Sequence, residues 1–253
     1  MLADLRAEQA DLHALVAGRD LSVPTPAEGW DVRDALAHLA GTDVEATRAM
    51  LRPTEFVAGL GDIGADVEGF LRSQLTERSG LTAEQLLTES QESFGALLAA
   101  FGELAADATI PWYGPPMSPA SFATARLMEY WAHGQDVADA YGFQRPPTAR
   151  LRHIAHLGFR TFGFSFGVHG LAVPEVAVRV LLTAPDGATW AYGDPTAAET
   201  VSGSALDFCL LVTQRRHRDD TDLVASGPVT GAWLDVAQCF AGLPSPGRAT
   251  SSR

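Results

Sequence analysis

"LMEYWAHGQDVADAYG", residues 127–142, sets a glutamate and a histidine four positions apart in a stretch that reads as helix. Positions i and i+4 are neighbours on a helix, so Glu129 and His133 aim at one point in space. They do so among Leu127, Met128, Tyr130 and Trp131, residues that belong in a core. A carboxylate and an imidazole sharing such a face either hold a metal ion or hydrogen-bond each other. The surrounding chain has to decide between the two.

Upstream of this stretch the pattern is helical. Leu2, Leu5, Leu12, Leu15 and Val16 form one stripe, and Asp31 opens a second helix that carries Val32, Leu36, Leu39 and Val44. Gly59 to Gly64 interrupts the next segment. Thr82 and Gln85 make a capping-box pattern before a helix reaching about Ala105, and Ser118 with Pro119 starts the last one, which ends near Gly142. Four main helices therefore predict a helical bundle over residues 1–145. Between the third and the fourth lies IPWYGPPMSP, residues 110–119, whose prolines forbid helix. Its Trp112, Tyr113 and Met117 either shape the mouth of a pocket or pack against the bundle.

Downstream, GFQRPPTAR at 142–150 reads as a linker and the periodicity changes. A helix is expected from Leu151 to Phe164. EVAVRVLL at 175–182 and ATWAYG at 188–193, separated by a Pro-Asp-Gly turn, predict a hairpin. A helix over about 205–216, a strand at DLVASG and a helix in GAWLDVAQCFAGL complete a smaller α+β domain over 146–253.

Composition narrows the function. A chain of 253 residues with 46% hydrophobic residues and mean hydropathy near zero is globular, and no apolar run approaches the length of a membrane span. The amphipathic N-terminus lacks the features of a signal peptide. Cys209 and Cys239 sit in apolar surroundings as core thiols, which fits a reducing cytoplasm. A formal net charge of −13 opposes binding to nucleic acid or to an anionic membrane. All 18 basic residues are arginine, which excludes lysine Schiff-base chemistry and a P-loop lysine. No G-x-G-x-x-G follows a strand, so dinucleotide binding has no sequence support.

A metal at Glu129 and His133 needs a third ligand from another helix. The candidate is His38, set mid-helix in DVRDALAHLAGTDVEA among alanines and leucines. Two imidazoles and a carboxylate are the ligand set of many catalytic zinc sites, which leave a fourth position to water or substrate. Asp136, one turn beyond His133, would orient that imidazole, and Asp34 stands in the same relation to His38. His153 and His156 are a competing pair, but beside Arg150 and Arg152 they read as a solvated helix face. His13, His169 and His217 read as surface residues, and Glu45 as either a supplementary ligand or a surface ion-pair partner.

GWDVRDALAHLA and EYWAHGQDVADAYG, followed by an α+β tail, resemble the mycothiol-dependent maleylpyruvate isomerase family of the DinB-like metal-binding superfamily. The closing WLDVAQCFAGLPSPGR further resembles a subgroup of metal-binding proteins within it whose activity is generally unassigned. The resemblance spans nearly the whole chain and implies a DinB-like four-helix bundle with a smaller C-terminal α+β domain. It implies zinc or another divalent ion on His38, Glu129 and His133, with water completing the shell. It also implies a C-terminal arginine, placed at Arg216 in preference to Arg215, at the end of LDFCLLVTQRR. The expected cofactor is mycothiol or another small thiol, the expected partner a small electrophile, and homodimers are common among such proteins. A thiolate adding to an alkene or epoxide then gives either cis-trans isomerisation or S-transfer. A hydrolase using metal-bound water, and a metal-binding protein without catalysis, are the alternatives.

Overall fold

Asp31 caps the helix around which the first unit assembles. Its carboxylate accepts from the Asp34 amide at 2.9 Å while the Asp34 carboxylate accepts from the Asp31 amide at 3.1 Å, a reciprocal capping box. The computed structural model describes residues 1–63 and 67–250, which fall into two compact units, Met1–Gln144 and Arg145–Arg253.

In the first unit, α1 (Leu2–Val16) precedes the capped helix α2 (Val32–Leu51). Two shorter helices, α3 (Pro53–Ile63) and α4 (Val67–Arg78), lead to α5 (Ala83–Glu103) and α6 (Pro119–Ala140). The expected interruption at Gly59 to Gly64 is only partly testable: Gly59 lies inside α3, and Gly64 lies outside the described residues. The predicted capping box at Thr82 and Gln85 is present, as is the Ser118 cap with Pro119 in the first turn. The four long helices pair as α2 with α5, α1 with α6, and α2 with α6. They form the bundle the sequence predicts.

One residue of the predicted apolar stripe is misplaced. Val44 is 44% exposed, whereas Leu36, Leu39, Asp43, Ala46 and Met50 are all buried. Three-and-four spacing from Leu36 lands on Asp43 and passes Val44 by. The core face of α2 thus carries a carboxylate. Helix α6 is buried almost all round from Arg126 to Ala138, as befits the central helix of the unit.

The second unit holds α7 (Leu151–Arg160), α8 (Phe162–Val168), β1 (Val178–Thr183), β2 (Thr189–Gly193), β3 (Glu199–Ser204), α9 (Ala205–Val212), β4 (Val224–Ala225) and α10 (Pro228–Val236). The single helix expected from Leu151 is broken at Thr161, which ends α7 and precedes α8. The predicted hairpin is present as an antiparallel β1–β2 pair with Val180 opposite Tyr192 and Leu182 opposite Trp190. Strand β3 pairs parallel to β1 on its other side and antiparallel to β4, giving the order β2-β1-β3-β4. Its sequence, ETVSGS, has a glycine and two serines and carries no strand signal; pairing with its neighbours makes it one. Helix α10 begins at Pro228 and stops at Val236, earlier at both ends than its sequence suggests.

Candidate metal centre

Two helices of the first unit deliver the three candidate ligands. Helix α2 supplies His38, and α6 supplies Glu129 and His133 one turn apart. One ligand atom from each residue lies within 4.8 Å of the other two, the one such grouping among the described residues. His38 Nε2 is 3.7 Å and His133 Nε2 3.5 Å from Glu129 Oε2.

These separations bear on both readings of the opening stretch. An imidazole hydrogen-bonded to a carboxylate brings N and O to about 2.7–2.9 Å, and contacts near 3.6 Å are no longer hydrogen bonds. Ligand atoms about 2.0–2.2 Å from a zinc ion in tetrahedral array stand roughly 3.4 Å from one another. The two separations at Glu129 are compatible with neighbouring ligands, and the donor set fits a borderline divalent ion. The site is shallow: 11% of the His38 and His133 side chains and 25% of the Glu129 side chain stay exposed. Glu129 forms the solvent-facing edge.

Burial holds the His38 imidazole at about 4, so it is neutral and able to ligate at neutral pH. Burial alone would raise Glu129, but the two imidazoles beside it hold its carboxyl well below the usual carboxylate range. Both groups are in the protonation state that a metal requires. Asp136 Oδ2 stands 3.5 Å from His133 Nδ1, on the side away from Glu129. Asp34 does not serve His38 in that way, because it closes the α2 capping box.

Sequence reasoning missed the residues around the ligands. Trp30, at the end of the loop before α2, stacks on His133 with ring centres 5.6 Å apart and planes within 9°, and meets His38 edge-on at 5.4 Å. Beneath the site lies a buried ionic network. Arg126 donates to Asp43 Oδ1 through Nη2 at 2.7 Å and Nε at 3.2 Å, and Tyr130 donates to Asp43 Oδ2 at 2.6 Å. Arg126 Nη2 also donates to Thr42 Oγ1 at 2.9 Å, and Thr42 in turn donates to the His38 carbonyl at 2.8 Å. The network ties α2 to α6 at the level of the ligands. A signal did exist: Asp43 and Arg126 are charges on otherwise apolar helix faces.

The remaining candidates lie elsewhere. Glu45 pairs with Arg48 at 3.6 Å. Trp112 packs against Phe56 and Phe122, and Tyr113 against Phe56, so the loop aromatics cover the bundle. Ile110 and Met117 close that loop through two backbone hydrogen bonds. His13 is half-buried, 3.0 Å from Ser90 Oγ, and burial lowers its pKa; it is not a surface residue. His153 and His156 lie on α7 in the second unit and join no metal-binding group among the described residues. Arg215 and Arg216 do not end α9. That helix stops at Val212, Gln214 adopts a left-handed φ of 59°, and the amides of both arginines turn back to the Leu210 carbonyl. A cleft of about 350 Å³ in the second unit, between Phe159, Phe162 and Val178, contains none of the predicted site residues.

The model of the mycothiol maleylpyruvate isomerase N-terminal domain matches residues 2–138, the span that holds this site. The chain belongs to this family. It is similar to two uncharacterised proteins from two strains of Mycobacterium tuberculosis. Each is 45% identical over 250 residues, covering 98% of this chain and 97% of the relative. Two crystal structures of the mycothiol-dependent maleylpyruvate isomerase, one of them a histidine-to-alanine variant, share the fold with a TM-score of 0.60. They are 17% and 16% identical to this family member and cover 89% of it and 91% of their own chains. All three candidate ligands fall inside the span that the family model matches.

Proposed function

We propose that the protein is a metal-dependent enzyme that activates a small thiol, such as mycothiol, for addition to an electrophilic small molecule. The observation that carries this reading is the convergence of His38, Glu129 and His133 at ligand spacing rather than hydrogen-bond spacing. Membership of the mycothiol maleylpyruvate isomerase family supports the thiol. Zinc is the ion that suits two imidazoles and one carboxylate with a fourth position open.

A divalent cation bound there supplies the positive charge that keeps a thiol in its nucleophilic thiolate form at neutral pH. His38 and His133 offer neutral nitrogen donors and Glu129 the single balancing negative charge. Asp136 stands 3.5 Å from the far nitrogen of His133, on the side from which a carboxylate orients a ligating ring. The thiolate adds to an activated double bond, forming a C–S bond while the π electrons move to an enolate. Rotation about the resulting single bond and expulsion of the thiolate return the isomerised alkene; protonation of the enolate instead leaves the S-adduct. Arg216 is assigned to the substrate carboxylate or enolate. Its half-buried side chain has no hydrogen-bond or ion-pair partner among the described residues, whereas Arg215 donates to the Thr213 carbonyl at 2.7 Å. Two buried cysteines outside any disulfide support a reducing cytoplasm as the place of action.

The test is metal content per chain, measured by mass spectrometry on untagged protein, together with turnover of activated alkenes and epoxides with and without thiol. We expect about one equivalent of metal in wild type, little in His38→Ala and His133→Ala, and wild-type content in His153→Ala. Turnover that needs no thiol would replace this reading by a hydrolase. Wild-type protein that stays metal-free after zinc is added back would overturn both.

A further inference from the structure

Histidine χ2 is a broad, soft torsion, so an imidazole ligand is aimed by what surrounds it. The usual device is a hydrogen bond from the second ring nitrogen to a carboxylate or carbonyl. Beside the second nitrogen of His133 stands the Asp136 carboxylate, 3.5 Å away. His38 has no such partner among the described residues: its ring neighbours are Glu129, the His133 ring and the Trp30 ring. Asp34, the acid nearest in helical register, is engaged at the α2 cap.

Trp30 occupies the position of the missing orienter. Its backbone is pinned from both sides. The Trp30 amide donates to the Ala27 carbonyl at 3.0 Å across a turn whose Gly29 has φ +76°, a conformation that favours glycine. The Trp30 carbonyl accepts from both the Thr25 amide, at 2.8 Å, and Thr25 Oγ1, at 2.9 Å. Asp31 then starts α2 at once. The indole is thus delivered by a closed loop to a fixed place over two imidazoles, parallel to one and edge-on to the other.

Resting on the metal reading given above, we infer that Trp30 is a positioning residue of the metal centre, orienting both imidazoles and favouring their metal-bound state. An imidazole that ligates a divalent cation becomes electron-poor, and the face of an indole is the electron-rich partner such a ring prefers. The stack on His133 therefore strengthens when the ion binds. The edge-on contact restrains His38, and the indole also shields the site from water, lowering the dielectric around the ligands.

The experiment uses the full chain stripped of metal and zinc alone as probe. Zinc affinity is measured by competition with a chelating indicator for wild type, Trp30→Ala, Trp30→Phe and Trp30→Leu, alongside the thermal midpoint of each apoprotein. Loss of an orienting residue beside the ligands typically weakens metal binding about 10- to 100-fold. We expect a loss of that order in Trp30→Ala and in Trp30→Leu, which keeps apolar bulk without a π face, and recovery of most of it in Trp30→Phe. The visible spectrum of the Co²⁺-loaded protein should shift in the first two variants and return in the third. Should Trp30→Ala fail to fold, Trp30→Leu carries the same comparison. Wild-type zinc affinity in Trp30→Leu, or equal losses in Trp30→Leu and Trp30→Phe, overturns the inference and leaves the metal reading intact. Failure of wild type to bind zinc overturns both.

Discussion

Burial of the His38 imidazole has a thermodynamic consequence in the metal-free protein. Its pKa falls from 6.5 to about 4 on folding because burial penalises the charged ring. Between those values the unfolded chain takes up a proton that the folded chain does not. The contribution is therefore fully present above pH 6.5 and is lost as pH falls toward 4. Urea midpoints recorded with chelator at pH 7 and pH 5 should drop more in wild type than in His38→Gln, and equal drops would refute this account. The Asp43–Arg126 pair makes a separate prediction. Both residues are at most 2% exposed, so removing one partner strands a buried charge. Such losses cost about 3–5 kcal/mol, and Arg126→Met should destabilise by that order in urea melts. Arg126→Met combined with Asp43→Asn should recover part of the loss, since the stranded charge is then gone.

Among the elements, α2 and α6 are specified mostly by their own sequences. The Asp31 start, the Ser118 cap with Pro119 and the 3.6-residue period are local signals legible in the chain, whereas Asp34, read as an orienter of His38, proved to be the partner of Asp31 at the cap. The elements of the second unit depend on one another. Gly193 closes β2 with φ +89°, and a Cβ there would stand 2.3 Å from the Val178 carbonyl oxygen. Because the obstacle is backbone, Gly193→Ala should cost more than about 2 kcal/mol and disturb the β1–β2 register. Chemical denaturation checks the stability, and amide exchange at Val180 and Leu182 checks the pairing. Strand β3 and the early end of α9 were not legible, since one needs β1 beside it and the other the left-handed turn at Gln214.

Across the whole molecule, the candidate ligands come from two helices of the first unit that are 91 residues apart at their nearest members, His38 and Glu129. An ion that binds only when these helices are assembled stabilises the native state by mass action. Free zinc at a hundred times its dissociation constant adds about 2.7 kcal/mol. Scanning calorimetry should show a thermal transition that rises with zinc and falls with chelator in wild type. Neither should move it in His133→Ala. A wild-type transition indifferent to zinc would count against the three-residue centre.

The chain by itself determined the long helices of the first unit, where α2, α5 and α6 start, and that Glu129 and His133 share one helical face, because these follow from short-range periodicity, caps and an i,i+4 pair. It did not reveal Trp30, Asp43 or Arg126 as neighbours of the ligands. Trp30 is placed by a loop whose closure depends on hydrogen bonds at Thr25 and on the turn at Gly29. Asp43 and Arg126 are legible as a pair only once α2 lies against α6, because a buried charge is tolerable where a partner from another helix meets it. Tertiary packing also decided the separations of 3.5 and 3.7 Å at Glu129. Spacing along one helix can aim two side chains at a point, but the distance to a third ligand is set by how closely two helices approach.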